Sequence, residues 1–153
     1  MVRKGNLLMH TFDRLVCFAG PLGLLIAATA ARAEDPPKLV GTWKGTAFAV
    51  HIGSNPYRAA ERNGPNFPPN GIEFTYSITE QQGNRFAGTS TNGKFTETLI
   101  GAISPDNRSG IILDDDGEYT FTVRDADTLD VCYRHSFPTS RVVGCWPLTR
   151  STR

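Results

Sequence analysis

The sequence predicts an all-β protein: a single eight-stranded antiparallel up-and-down barrel with a long first inter-strand loop holding a short helix. Three observations carry this expectation. Short runs of alternating apolar and polar residues recur along the chain, compact turn signals separate them, and every join but one is short. Eight strands joined in sequence form a sheet that can close on itself.

The elements follow in order. The first run covers residues 39–50 and contains Gly41, Trp43 and Gly45. The second, residues 71–81, is the clearest: Ile72, Phe74, Tyr76 and Ile78 alternate with Glu73, Thr75, Ser77 and Thr79. Gly83-Asn84 turns it into the third run, residues 85–91. Asn92-Gly93, a strong hairpin signal, leads to the fourth, residues 94–103. A looser loop built on Pro105, Asp106 and Gly110 precedes a short fifth run, residues 111–113. Asp115-Asp116-Gly117 turns it into the sixth, residues 118–124, where Tyr119, Phe121 and Val123 share a face. Asp125-Ala126-Asp127 opens the seventh, residues 128–134, and the eighth is residues 141–149.

The long join lies between the first two runs, residues 51–70. Asn55 suits a helix cap, Pro56 a first helical position and Gly64 a helix end, so a short helix is expected over residues 56–63. Loops of this length usually carry function or lack order.

Ahead of the strands, Arg3, Lys4 and Arg14 precede an apolar run over residues 15–30, followed by Ala31-Arg32-Ala33. This is the pattern of a secretory signal, cleaved to remove residues 1–33, with Met1 or Met9 as the start. The apolar run is too short and too interrupted by Gly20, Pro21 and Gly23 for a spanning helix. Residues 34–153 then form one domain, in the periplasm or secreted. Losing four basic residues and one acidic residue from 16 Lys+Arg and 15 Asp+Glu leaves 12 against 14. That weakly acidic, dispersed balance argues against nucleic-acid and membrane partners. Cys132 and Cys145, in an oxidising compartment, are expected to form a disulfide.

A Gly-x-Trp opening of the first strand (Gly41, Trp43), a long first loop and a terminal Leu148-Thr149-Arg150 together resemble the calycin-type barrels, the lipocalins and avidins. The resemblance implies that Trp43 floors the closed end of the barrel and that Arg150 packs over it. It also implies an open end for a small ligand. The chain is further similar to small exported bacterial proteins with a Gly-Thr-Trp-x-Gly opening, with Gly83, Phe86 and Gly88 in the third strand and Cys132-Tyr133 in the seventh. It departs from the avidins: the face of Trp43 continues through Gly45, Ala47 and Ala49, which cannot bond a ureido group, so biotin is not expected. No lipobox surrounds Cys17.

No catalytic constellation is announced. His51 and His135 read as surface residues at strand ends, one of them within reach of a carboxylate such as Glu73 if it served as a base. Asp114-Asp115-Asp116-Gly117 reads as a hairpin turn of solvated carboxylates, since its spacing is not that of a calcium loop. No metal site, no cofactor and no catalytic residue is assigned. Two functions are weighed ahead of catalysis. One is a barrel that binds a small apolar or amphipathic ligand between Tyr76, Phe121 and Tyr133, with Ala47 and Ala49 leaving room. The other is an interaction module, an exported inhibitor or envelope factor, working through its outer surface or the 51–70 loop. Against a cavity stands a barrel simply filled by Ile72, Phe74, Ile78, Leu99, Val123 and Leu129.

Overall fold

A computed structural model describes residues 35–152; the expected signal segment lies outside the described residues. Nine strand segments form one antiparallel sheet: β1 (Gly41–Ala47), β2 (Ala49–Ile52), β3 (Ile72–Gln82), β4 (Arg85–Thr91), β5 (Thr96–Ile103), β6 (Ser109–Leu113), β7 (Glu118–Asp125), β8 (Thr128–Ser136) and β9 (Arg141–Thr152). The sheet runs β1-β3-β4-β5-β6-β7-β8-β9-β2, and β1 also pairs with β9, which closes the barrel.

β1 and β2 are two halves of one strand. Trp43 pairs with Arg150 and Lys44 with Thr149; farther along, Ala49 pairs with Gly144 and Val50 with Val143, in unchanged register. The ladder lapses between them where Pro147 of β9, which has no N–H to donate, passes the chain. The two strands approach closely here. A Cβ on Gly45 would lie 2.5 Å from the Pro147 carbonyl oxygen and 2.7 Å from Leu148 Cδ2. Gly45 is therefore needed for strand approach. Gly41 is needed for its backbone, at φ 138°, a conformation that side chains disfavour.

Alternation places Trp43, Tyr76, Phe86, Leu99, Ile112, Phe121, Leu129 and Leu148 inside, all buried. Large rings fit because glycines face them. Phe86 fills the space that a Cβ on Gly101 would take, and Phe121 does the same at Gly110; the two rings meet edge to face at 5.9 Å. This half of the barrel retains a void of only about 10 Å³, at the lower limit for one water.

The floor is clasped from several directions. Trp43 is 1% exposed and its indole donates to the Leu39 carbonyl at 2.9 Å. The Arg150 guanidinium lies 3.9 Å from the centre of the Trp43 ring. It also donates to the carbonyls of Val40 and Lys38 at 2.7 and 2.6 Å, and pairs with Asp127 at 3.1 Å. One side chain thus ties the segment before β1 to the β7–β8 turn. On the outer wall, Cys132 and Cys145 sit opposite each other on β8 and β9 and are joined as a disulfide.

The short helix expected at residues 56–63 is not formed; the described residues contain no helix. Side chains take the backbone donors instead. Asn55 Oδ1 accepts from the N–H groups of Tyr57 and Arg58, at 3.0 and 2.9 Å, and Ser54 Oγ accepts from that of Ala60 at 2.9 Å. The loop is pinned to the barrel by Asn66, which exchanges backbone hydrogen bonds with His51 at 3.1 and 2.7 Å.

Replacing Trp43 by Ala removes the floor and leaves Arg150 unstacked. We expect a loss of about 3–5 kcal/mol, read as a lowered urea midpoint; an unchanged midpoint would show that the indole does not support the closure. Replacing both Cys132 and Cys145 by Ser should cost about 3 kcal/mol for so short a loop, measured the same way under non-reducing conditions.

Candidate functional site

At the end of the barrel away from Trp43 the filling stops. The first strand contributes Ala47, Ala49 and His51 to the lining here, and a cavity of about 60 Å³ opens above Trp146 and Tyr119. Such a space holds about four waters, or a ligand of similar size. Tyr57, Phe74, Tyr119, Tyr133 and Trp146 are among its walls. Tyr119 packs on Tyr133 at 4.7 Å and edge-on to Trp146 at 6.2 Å. Tyr57, delivered by the long loop, caps the mouth and meets Phe74 and Phe95 edge-on at 5.4 and 5.5 Å.

Three carboxylates converge on this aromatic enclosure. Glu97 projects inward from β5, on the same face as Leu99. Asp114 continues the inward face of β6 after Ile112, and Asp116 follows in the β6–β7 turn. Oxygens of all three lie within 4.8 Å of one another. The turn is built by Asp114 Oδ1, which accepts from the N–H of Gly117 at 2.6 Å and of Asp116 at 3.3 Å. Its other oxygen, Oδ2, is buried and accepts no well-formed hydrogen bond, although the Tyr119 hydroxyl lies nearby.

Burial and mutual repulsion oppose charge here. Burial pushes the Glu97 carboxyl up to about 7; the Tyr57 hydroxyl opposes the rise and the Asp114 and Asp116 charges add to it. Burial likewise raises Asp114, against the Gly117 N–H that favours its charged form. The hydroxyls of Tyr57, Tyr119 and Tyr133 are raised as well, burial being the main cause, so all three remain neutral hydrogen-bonding groups.

A polar relay runs along one wall. The Tyr133 hydroxyl donates to Asp116 Oδ1 at 2.7 Å and lies 2.9 Å from His135 Nδ1. Since the tyrosine proton is committed to Asp116, His135 Nδ1 donates to the tyrosine oxygen. His135 Nε2 then accepts from the Ser140 hydroxyl, 2.7 Å away. His51 Nδ1 donates to the Gly53 carbonyl at 2.9 Å. Both histidines are buried, at 3% and 8% exposure, which corrects the sequence reading of them as surface residues. Glu73 is exposed on the outer face of β3 and serves neither.

Among the residues singled out in the sequence, Ala47, Ala49 and Tyr133 line the cavity. Phe121 lies in the filled half, against Phe86. Tyr76 lies between the two regions: its ring is edge-on to Tyr119 at 6.0 Å, and its buried hydroxyl makes no well-formed hydrogen bond. Trp43 and Arg150 form the opposite end. The acidic turn is indeed a hairpin turn, but Asp114 is partly buried against the cavity and is not a solvated carboxylate. Glu97, Asp114, Tyr57, Tyr119 and Trp146 were missed. The available signal was register: Glu97 shares parity with Leu99, Asp114 with Ile112, Tyr119 with Phe121 and Trp146 with Leu148.

Compared with protein-family models, curated proteins and solved structures, the chain matches none of them.

The raised carboxyls have a consequence for stability. Glu97 binds its proton more tightly when folded, so the folded state is favoured at low pH and loses stability as pH rises from the ordinary carboxylate range through about 7. Asp114 acts in the same sense. The melting temperature of Glu97→Gln should exceed wild type at pH 8 and converge with it near pH 5. A wild-type excess at pH 8 would contradict the buried-carboxyl account.

Proposed function

We propose that the protein is an exported, calycin-type barrel that binds a small amphipathic molecule in the cavity capped by Tyr57. The observation that carries this reading is the division of the interior. From Trp43 to Phe121 the barrel is filled to a void of about 10 Å³, whereas above Tyr119 it opens to about 60 Å³. Two successive inward alanines, Ala47 and Ala49, keep that space open. Aromatic walls with a few convergent polar groups are the usual lining of a small-molecule site. Export is supported by the basic head, apolar run and Ala31-Arg32-Ala33 of the sequence, and by the Cys132–Cys145 bond, which suits an oxidising compartment.

A second reading, attachment to an envelope protein, is favoured by one surface feature. Phe67 of the long loop is 71% exposed and Val143 of β9 is 50% exposed, and both border a shallow groove with Pro65 and Val50. Deleting residues 58–68 separates the readings. A ligand-binding barrel stays folded and exchanges its ligand faster, whereas an interaction module loses its partner in a pull-down.

Native mass spectrometry of protein purified from the periplasm should show a bound small molecule. Ala49→Leu, which fills the cavity, should lower affinity for that molecule by about tenfold or more, ~1.4 kcal/mol, with the fold intact by circular dichroism. Undiminished affinity in Ala49→Leu would exclude the cavity as the site.

A further inference from the structure

One segment of the long loop closes the mouth of the cavity. Residues 54–63 lie between two glycines in the left-handed region, Gly53 at φ 76° and Gly64 at φ 120°. Inside the segment the backbone is bonded to itself: Asn55 and Arg58 exchange N–H···O bonds at 2.8 and 3.2 Å. Just outside it, Asn66 and His51 exchange theirs and fix both ends to the barrel. Every residue of the segment is exposed except Asn55, Tyr57 and Arg58. Of these, Tyr57 alone lays a ring on the barrel, against Phe74 and Phe95. The other fastenings are peripheral: Arg58 donates to the Asn70 carbonyl, and the Glu61 N–H to Asn66 Oδ1 at 3.1 Å. A flap with a glycine at each end, held by one ring and a few outer hydrogen bonds, belongs to the least stable part of a fold.

Under that ring lies a carboxyl that water would stabilise. The Tyr57 hydroxyl faces Glu97, which is half-buried and within 4.8 Å of Asp114 and Asp116 of the β6–β7 turn. The other ionisable groups around it are Tyr76 of β3, Tyr119 of β7, and Tyr133 and His135 of β8. Across the mouth stand His51 of β2 and Arg58 of the flap. Asp115 and Lys94 are exposed on the adjoining turns, Lys94 over the ring of Phe95. The two ring nitrogens of His135 are engaged by Tyr133 and Ser140, away from the flap.

We propose that this flap is a pH-controlled lid, shut while Glu97 is protonated and opening about Gly53 and Gly64 when Glu97 loses its proton. It would admit ligand from a neutral or alkaline medium and retain it in an acidic one. The proposal rests on the ligand-binding reading of the cavity and names how that site is regulated. Protonated, Glu97 donates to the Asp114 carboxylate and the closed mouth carries no added charge. Ionised, it is a desolvated anion beside two others, and water reaches it only when Tyr57 leaves. The Tyr57 hydroxyl works against release, because it donates better to a carboxylate than to an acid. Burial is the larger effect at Glu97. The closed form therefore binds the Glu97 proton more tightly than an open, hydrated one, so opening is favoured increasingly from the ordinary carboxylate range up to about 7 and levels off above it. Asp114, raised by burial, acts in the same sense.

The test is acrylamide quenching of tryptophan fluorescence in the purified protein from pH 5 to pH 8.5, without ligand. Trp146 lines the cavity under the flap, and Trp43, 1% exposed at the floor, is a constant background. Quenching should rise with pH and level off above about 7, as the open population grows by roughly tenfold or more. In Glu97→Gln it should stay at its pH 5 level throughout. In Tyr57→Phe, which loses the hydroxyl favouring the charged form, the plateau should move to higher pH. Tyr57→Ala, with the mouth uncapped, should be quenched strongly at every pH. A flat wild-type profile beside a strongly quenched Tyr57→Ala would overturn the lid and leave the ligand-binding reading standing, since no ligand enters the assay. A pH response that persists in Glu97→Gln would overturn the role of Glu97 and move the trigger to His51, which bonds the Gly53 carbonyl at the flap's end. Weak quenching in Tyr57→Ala would overturn Tyr57 as the cap, and the lid with it.

Discussion

Closure of the sheet between its first and last strands is the constraint on which every other feature depends. An eight-stranded interior exists only if β1 and β2 meet β9, and that seam is the one joint in the barrel made by strands remote in sequence. Its ladder is also interrupted, where Pro147 passes the chain. The seam is compensated at both sides. On the Trp43 side, Arg150 stacks on the indole and bonds two carbonyls ahead of β1. On the far side, the disulfide ties β9 to β8, and β2 resumes the register. A stacked guanidinium of this kind is worth about 0.5–2 kcal/mol through cation–π attraction alone; the carbonyl bonds and the ion pair to Asp127 add directionality that a lysine could not reproduce.

Once the barrel is closed, its interior must be filled residue by residue along alternating positions. The chain divides that task unevenly. Near Trp43, glycines at 101 and 110 stand opposite rings at 86 and 121, so large and small interdigitate and almost no void remains. Toward the other end the first strand offers two methyl groups, those of Ala47 and Ala49, before His51, where its neighbours offer rings. Because one half is packed solid, the other can carry a cavity and three acids without loss of the fold. The same division explains the long loop. An open barrel mouth leaves aromatic surface to be covered, and Tyr57 covers it from a loop held down by Asn66.

The architecture was legible because it rests on local rules. The alternation of residues 72–79 could only be a strand with one buried face, and the turns at Gly83, Gly93 and Gly117 lie where glycine or an Asx side chain is needed. The errors are equally local. β6 begins at Ser109, two residues earlier than expected, because inward Gly110 has no side chain to betray its face. The 56–63 segment has helix caps in its sequence, but Asn55 and Ser54 spend them on isolated turns. The site was far less legible. Glu97 stands in a Thr-Glu-Thr stretch that reads as surface, and Asp114 in a run of acids that reads as a solvated turn. Whether such residues face water or the interior depends on where their strand ends relative to the barrel mouth, and only the closed sheet fixes that. His135 follows the same logic: its burial is made tolerable by Ser140, Tyr133 and Asp116, partners that no single segment of sequence brings together.

The acidic trio also shows how a stable fold can hold an unfavourable arrangement. Burial and the neighbouring charges make Glu97 and Asp114 resist ionisation, which opposes folding increasingly as pH rises. Nothing in the barrel requires them: methylene groups at 97 and 114 would fill space and bury apolar area with no electrostatic penalty. Their cost is contained by hydroxyls that donate to them, by a wall that excludes most water, and by a floor whose packing owes nothing to them.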